Sequence, residues 1–313
     1  MIIDCHSHFG NDYYCGNIDL DSYIKYCKAL GIDIGFLMPT PWPNYFNEDG
    51  KEVTSLIWEH VNYKIKIYYS VINGKKEQIY KNPYEQVNLQ YFNLIKYNNT
   101  NIRLEFIPLV HGVLDTPDYL YKLLSKTKPL AVKMHGFASG FSPKDIKPEI
   151  CDILKYFDLP IILHTSVYNY GYGYGYDTKY WRNECHPYRW VKFLKDNDLK
   201  GVLNHGACLN DDSILEVNKN DKLMIGIGPD LDISRDYFKV DVDKEIYNKI
   251  GYLKLLKKKV LASKILFDVD FNWNVDNNKL DYSQIERMSQ IWSESELDSI
   301  LYDNAFKYYK LNK

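Results

Sequence analysis

Four apolar runs, which lie between residues 2 and 270 of this 313-residue chain, each end in a residue whose side chain can bind a metal ion. Imidazole nitrogens and carboxylate oxygens are usual donors to a catalytic zinc-type ion, which keeps one position open for water or substrate. If the ends of the four runs lie close together in the folded chain, their side chains would form such a site. The candidate residues are His6, His8, His164, His205 and Asp270.

The spacing of the first run predicts that its two histidines act together. His6 and His8 are two residues apart, so on a strand both rings point to the same face. Asp4 is in phase with His6 and is a candidate to support the site from behind the ligands. For His205, which ends a later run, a fifth ligand and an acid/base role both remain open.

Lys133 and His135 have the same two-residue spacing and also share a face. If that face is the inside of a barrel, both side chains reach the site. Lys133 could bridge two metal ions as a carbamate, or it could be a charge partner for the substrate or for Asp270. Asp268 is in phase with Asp270 and one layer deeper, where an unpaired charge is costly, so Lys133 is also its candidate partner.

Strands and helices alternate along the chain, which predicts a parallel sheet. Eight strands in series predict an α/β fold of the (β/α)8 TIM-barrel type, as one domain over residues 1–313, with the carboxyl ends of the strands at one face. Strand eight then lies beside strand one, which places Asp270 next to His6 and His8. The predicted strands are Met1–Phe9, Ile32–Met38, Ile102–Val110, Leu130–His135, Pro160–His164, Gly201–His205, Leu223–Ile227 and Lys264–Asp270.

Two segments interrupt this alternation and are expected to distort the barrel at its C-terminal face. Residues 51–82 contain alternating apolar residues and the turn Asn73-Gly74, which predict an inserted β-hairpin. The long loop 166–187 starts with a tyrosine- and glycine-rich run, Tyr168–Tyr176. This run is either a flexible insertion of biased composition or an aromatic lid over a substrate pocket.

Composition argues against two classes of partner. The formal net charge is −2, so the chain lacks the basic footprint of a nucleic-acid-binding protein. No apolar run approaches the roughly 18 residues of a membrane span, and the first residues lack the pattern of a signal peptide. The six cysteines form no CxxC pair, which is typical of reduced thiols in a cytoplasmic protein. A small molecule is therefore the expected partner.

The ordered motifs resemble those of the amidohydrolase superfamily, in particular the metal-dependent hydrolases that include aminocarboxymuconate-semialdehyde decarboxylase-like enzymes. The resemblance covers most of the chain. Two departures lie in the last strand, where Asp268 and Val269 replace a glycine and a serine or threonine. The motifs are D-x-H-x-H at Asp4–His8, K-x-H at Lys133–His135, His164-Thr165, His205-Gly206, the strand Leu266–Asp270 and the pair Asn304-Ala305.

The resemblance implies a ligand set and roles. It implies that one divalent ion, Zn²⁺ by preference, is bound by His6, His8, His164 and Asp270, and that His205 polarises water or shuttles a proton. Two ions bridged by a carbamylated Lys133 are a variant of this prediction. The resemblance also implies a homodimer or a similar assembly.

Three functions are compatible with these residues. The first is hydrolysis of an amide, ester or lactone of a small carboxylated substrate by a metal-activated water, with Asp270 as base. The second is non-oxidative decarboxylation of an aromatic or enoic acid with the same ligands. The third is an inactive barrel that acts as a binding module. The side chains expected to contact the substrate are Lys133, His135, Tyr176 and Arg182.

Overall fold

Eight parallel strands form the centre of the part of the chain that the structure describes. The structure is a computed structural model, and it describes residues 1–12, 16–40, 54–61, 65–72, 75–165, 178–228, 249–271, 275–276 and 279–312. All eight strands lie where the sequence predicts them. In chain order they are β1 Ile3–Asp12, β2 Ile34–Pro39, β3 Arg103–Phe106, β4 Val132–Met134, β5 Ile161–Leu163, β6 Gly201–Leu203, β7 Leu223–Gly226 and β8 Ile265–Leu266.

Backbone pairing arranges these strands as two parallel runs, β1-β2-β3 and β4-β5-β6-β7-β8. At one junction the Val110 amide donates to the Lys133 carbonyl at 2.9 Å. At the other, the Cys5 amide donates to the Phe267 carbonyl at 2.9 Å, and the Asp270 amide donates to the His6 carbonyl at 2.7 Å. The two runs therefore meet at both edges, and the predicted distorted TIM barrel is confirmed.

Helices connect successive barrel strands. The first begins at Leu20 because the Asp19 side chain accepts the Ser22 amide at 2.7 Å, and it ends before Gly31, whose φ is 70°. The helices are α1 Leu20–Leu30, α2 Glu85–Lys96, α3 Pro117–Thr127, α4 Gly136–Ser139, α5 Pro148–Tyr156, α6 Thr178–Glu184, α7 Pro187–Asp196, α8 Asp211–Lys219, α9 Lys249–Lys259, α10 Gln284–Ser289, α11 Glu294–Asp298 and α12 Asn304–Tyr308. Shorter turns cover Pro143–Asp145, His205–Leu209, Ala262–Lys264 and Ser299–Asp303. None of the described helices is long and apolar enough to cross a membrane.

The predicted inserted hairpin is present as part of a larger element. Three antiparallel strands, Thr54–Val61, Ile65–Ile72 and Lys75–Ile79, pair in that order. The turn Asn73-Gly74 lies outside the described residues. Two further pairs are short: Gly16–Ile18 pairs with the end of β1, and Val275–Asp276 pairs with Lys279–Leu280.

Apolar side chains fill the barrel and close one end of it. Alternate residues of β2, namely Ile34, Phe36 and Met38, point into this core with Ile3 of β1. The C-terminal segment packs on the same core, with the ring of Tyr309 at 4.7 Å from that of Phe36. Polar side chains at the carboxyl ends of the strands are therefore left to line the opposite end.

Candidate metal site at the carboxyl ends of the strands

Three buried side chains converge near the end of the part of β1 that pairs with β2 and just beyond β8. One donor atom from each of His6, His8 and Asp270 lies within 4.8 Å of the others. His6 Nδ1 and His8 Nε2 are each 3.8 Å from Asp270 Oδ1. Two donors bound to one zinc-type ion at about 2.0–2.2 Å each lie within about 4.4 Å of one another. Asp270 Oδ1 therefore lies at ligand spacing from both histidines, and the two histidine nitrogens, which are within 4.8 Å of each other, need at most a small approach to share an ion.

Hydrogen bonds behind the two histidines determine which ring nitrogen faces Asp270. His8 Nδ1 donates to the Pro39 carbonyl at 3.2 Å, which leaves Nε2 as the inward atom. His6 Nε2 is hydrogen-bonded to Lys133 Nζ at 2.8 Å. With the Lys133 amine neutral, the Nε2–H group donates to Nζ, and Nδ1 carries the lone pair that faces Asp270. His6 Nδ1 is buried and has no hydrogen-bond partner among the described residues. A buried polar atom without a partner is costly, and a bound cation would satisfy it, so these residues fit a metal ion.

A second group of histidines continues from Asp270 across the mouth of the barrel. His205 Nδ1 lies 4.0 Å from Asp270 Oδ2, and its other nitrogen, Nε2, is hydrogen-bonded to His164 Nδ1 at 2.8 Å. The His164 ring stacks on His135 with centroids 3.8 Å apart. His205 therefore lies between Asp270 and His164, and metal binding by His164 stays a prediction.

Burial keeps the histidines of the site neutral. Loss of solvent lowers the pKa of His8 to about 3, with the Lys133 charge adding to the effect. The same cause, followed by neighbouring cationic groups, lowers the pKa of His6, His164 and His205 well below the usual range. Metal ions bind deprotonated imidazole nitrogens, so these rings are in the binding form at neutral pH.

The predicted partnership of Lys133 and Asp268 is a Coulombic interaction and not a direct hydrogen bond. Each group shifts the pKa of the other, while the close contact of Lys133 Nζ is with His6 Nε2 at 2.8 Å. Asp268 instead leans over β7: a Cβ on Gly226 would lie 2.2 Å from Asp268 Oδ2, and Asp268 Oδ1 accepts the Gly228 amide. Burial raises the pKa of Asp268 well above its usual range, and it lowers that of Lys133 to about 7 against the attraction of Asp270 and Asp268.

Two residues of the site adopt backbone conformations that the sequence does not predict. Asp270 has a φ of 51°, and His205 opens five consecutive residues with φ between 49° and 58°, through Leu209. This left-handed turn is unusual because each non-glycine residue in it costs roughly 1–2 kcal/mol. Tyr252 packs under it, since a Cβ on Gly206 would lie 2.3 Å from the Tyr252 hydroxyl. Gly206 is the one sequence signal for the turn.

The remaining predicted contacts are only partly described. His135 lies beside His164, and its Nδ1 accepts the Ala138 amide at 3.1 Å at the start of α4. Tyr176 and the loop 166–177 lie outside the described residues, as does the side chain of Arg182. Substrate contact by these residues and by Lys133 stays a prediction.

The inserted sheet contacts the barrel close to the site, through residues that the sequence analysis missed. The Tyr68 hydroxyl of the sheet donates to the Ser139 carbonyl at 3.0 Å, and the hydroxyl of Tyr84, which directly precedes α2, is 2.6 Å from Ser139 Oγ. Ser139 ends α4, the helix that His135 caps. The inserted sheet is thus hydrogen-bonded to the segment that follows β4. This contact places the sheet next to the candidate site. No local pattern marks Tyr68 among 29 tyrosines.

Comparison with known proteins finds solved structures with a similar fold. No family model matches the chain, and no curated protein matches it either. A candidate amidohydrolase from Staphylococcus aureus has a TM-score of 0.59 at 13% identity, covering 99% of both chains. IDCase from Metarhizium anisopliae has a TM-score of 0.55 at 13% identity, covering 100% of this chain and 98% of that one. Dihydropyrimidinase from Brevibacillus agri has a TM-score of 0.56 at 11% identity, covering 98% and 70%.

These neighbours agree with the resemblance that the motifs carry. They are named as amidohydrolases and related enzymes, and at 11–13% identity they bear on the fold alone. They do not separate the narrower decarboxylase-like group from its relatives, so that assignment stays a prediction. The chain therefore shares the fold of these amidohydrolases.

Proposed function

We propose that the protein is a metal-dependent hydrolase of the amidohydrolase type, with one divalent ion, Zn²⁺ by preference, bound by His6, His8 and Asp270. The observation that carries this proposal is the convergence of three buried donor atoms within 4.8 Å at the carboxyl ends of β1 and β8. His164 is the expected additional ligand. When bound, such an ion acts as a Lewis acid and lowers the pKa of water from about 16 toward about 7.

The side chains around the ion are arranged to move a proton away from the reacting water. Asp270 has one carboxylate oxygen toward His6 and His8 and the other toward His205, at 4.0 Å. Asp270 accepts the proton on the oxygen that faces His205. The 2.8 Å bond between His205 and His164 then gives the proton a further acceptor. Because burial lowers the pKa of both rings, they would hold such a proton only transiently and pass it on.

The hydrogen bond between Lys133 and His6 favours a site with one metal ion over a site with two. Lys133 Nζ is engaged with His6 Nε2 at 2.8 Å, and a carbamate bridge would require that nitrogen to form a new covalent bond and leave His6. Lys133 instead supplies a buried amine, whose pKa of about 7 allows it to take up a proton when a substrate carboxylate binds beside the ligands. We therefore propose a carboxylated substrate, whose amide, ester or lactone bond lies at the ion.

Metal content tests the ligand set. Purified protein is measured by elemental analysis with the double variant His6→Ala/His8→Ala and with the control His186→Ala, which removes a partly exposed histidine outside the site. The expected result is one equivalent of metal in the parent and the control and none in the double variant. If the double variant keeps its metal, the assigned ligands are wrong. If the parent binds none, the metal-dependent proposal fails.

Product analysis tests the reaction. The metal-loaded protein is incubated in ¹⁸O-labelled water with a panel of carboxylated amides, esters and lactones and with aromatic and enoic acids. Hydrolysis incorporates label into a carboxyl product. Release of carbon dioxide with no label in the organic product would favour decarboxylation and contradict hydrolysis. Loss of no substrate across the panel would favour a binding module.

A further inference from the structure

Helix α1 reaches the acidic group behind the candidate metal site through the side chain of Tyr23. Tyr23 is fully buried on the inner face of α1, and its hydroxyl donates to Asp4 Oδ2 at 2.7 Å. Gly35 on β2 leaves the space for this contact, because a Cβ there would lie 2.2 Å from the Tyr23 hydroxyl oxygen. A residue of the outer helical layer therefore contacts the acidic group behind the ligands.

Asp4 connects the two strands that carry the ligands. Its Oδ1 accepts the His6 amide at 3.2 Å and the Val269 amide at 2.9 Å, and its Oδ2 accepts the Ser7 hydroxyl at 2.6 Å. Val269 directly precedes Asp270. Asp4 thus hydrogen-bonds the backbone of His6 on β1 and the backbone of Val269, the residue before Asp270.

Ser7 completes the support on the other side of Asp270. Its Oγ accepts the Phe271 amide at 3.1 Å. The Phe271 ring also packs edge-on against Tyr23, with centroids 5.3 Å apart. The amides before and after Asp270 are therefore both fixed by a network that ends at Tyr23. Asp270 needs such support because its φ of 51° is unfavourable for a residue with a side chain.

We propose that Tyr23 is a positioning residue for the metal site, which orients Asp4 and Ser7 so that they hold Asp270 toward His6 and His8. The contacts of Tyr23 are with Asp4 and Phe271, which are not themselves ligands, so its role is positioning and not catalytic. The proposal rests on the metal site proposed above. Partners of this kind, which act on the ligands from outside, typically contribute 10–100-fold to metal affinity.

The same helix offers a matched control. Tyr26 is also fully buried on α1, and its ring lies 5.2 Å from that of Phe271. Its hydroxyl, however, donates to the Asp281 carbonyl at 2.5 Å. Tyr26→Phe therefore removes a buried hydroxyl of the same kind without removing a bond to Asp4.

The experiment compares Tyr23→Phe, Tyr26→Phe and the parent. Each metal-free protein is titrated with Zn²⁺ against a chelating dye and with Co²⁺, whose visible absorption reports ligand geometry, and its stability is measured in urea. We expect Tyr23→Phe to lower Zn²⁺ affinity by about 10–100-fold and to change the Co²⁺ spectrum. Tyr26→Phe is expected to lower stability similarly and to leave both metal readouts unchanged.

Two results would overturn the positioning role while leaving the metal site intact. One is parental Zn²⁺ affinity and Co²⁺ absorption in Tyr23→Phe. The other is equal loss of affinity in both variants, which would reflect general destabilisation. Ser7→Ala provides a second variant, since it removes the other hydroxyl of the network and is expected to behave as Tyr23→Phe. A parent that binds neither ion would refute the metal site itself, and the positioning role with it.

Discussion

Gly35 on β2 packs against Tyr23, so a substitution there should disrupt the hydrogen bond between Tyr23 and Asp4 without changing any ligand. We predict that Gly35→Ala lowers the free energy of unfolding by about 2.5–6 kcal/mol. The added Cβ would lie 2.2 Å from the Tyr23 hydroxyl oxygen and 3.0 Å from two ring carbons. The hydroxyl must leave Asp4, which costs about 1.5–3 kcal/mol for a hydrogen bond to a charged group. Overpacking adds about 1–3 kcal/mol.

A double-mutant cycle with Tyr23→Phe isolates this contact. Tyr23→Phe removes the atom at 2.2 Å and leaves the ring carbons at 3.0 Å, so Gly35→Ala should cost less than about 2 kcal/mol in that background. The expected coupling is at least about 1.5 kcal/mol, the value of the lost bond. Urea unfolding of the four metal-free proteins, followed by circular dichroism, measures it.

Two results would contradict this reasoning. If Gly35→Ala costs the same with and without the Tyr23 hydroxyl, the added methyl group is accommodated elsewhere and the contact does not carry the effect. If Gly35→Ala costs less than about 1 kcal/mol in the parent, β2 moves enough to keep the bond to Asp4. In either case Tyr23 would not be held in place by the barrel wall.

Two further predictions concern groups away from the metal site. Burial raises the pKa of Asp115 to about 8, so the folded carboxyl keeps its proton up to about pH 8, whereas the unfolded one releases it near pH 4. The folded state binds more protons in that window, so the free energy of unfolding should fall as pH rises from 4 to 8; urea unfolding of Asp115→Asn should show a flatter dependence, and equal slopes would contradict this. Lys128 is exposed, follows α3 and has a φ of 45°, so Lys128→Gly should stabilise the protein by about 0.5–1 kcal/mol; Lys128→Ala, which keeps the strained conformation, should give no gain in the same urea assay.

The sequence was sufficient to predict the barrel and the meeting of β1 and β8. Buried parallel strands are continuous apolar runs with a length limit, so their ends can be located from composition. Each ligand candidate directly follows such a run, and ring order alone places Asp270 beside His6 and His8. The structure brings these three side chains together as the order of the strands requires.

The contacts behind the ligands could not be predicted in the same way. The partner of Lys133 depends on the direction of the Asp268 side chain, which points toward Gly226. The spacing of residues along the sequence does not determine that direction. Tyr23 has the sequence signature of an ordinary buried face residue of α1. Its role depends on Gly35, which belongs to a different element. Such contacts join layers of the fold, and periodicity within one element does not encode them.

The backbone of His205–Leu209 has a consequence for the chirality of this region. Four of its five residues carry side chains, and a left-handed turn of L-residues costs roughly 1–2 kcal/mol for each of them. The total is of the order of the net stability of a whole domain, so packing such as that of Tyr252 must offset it. Mirror-image amino acids have the opposite preference. D-alanine at position 207, introduced by chemical ligation, would suit the local φ of 49° better than the natural residue does.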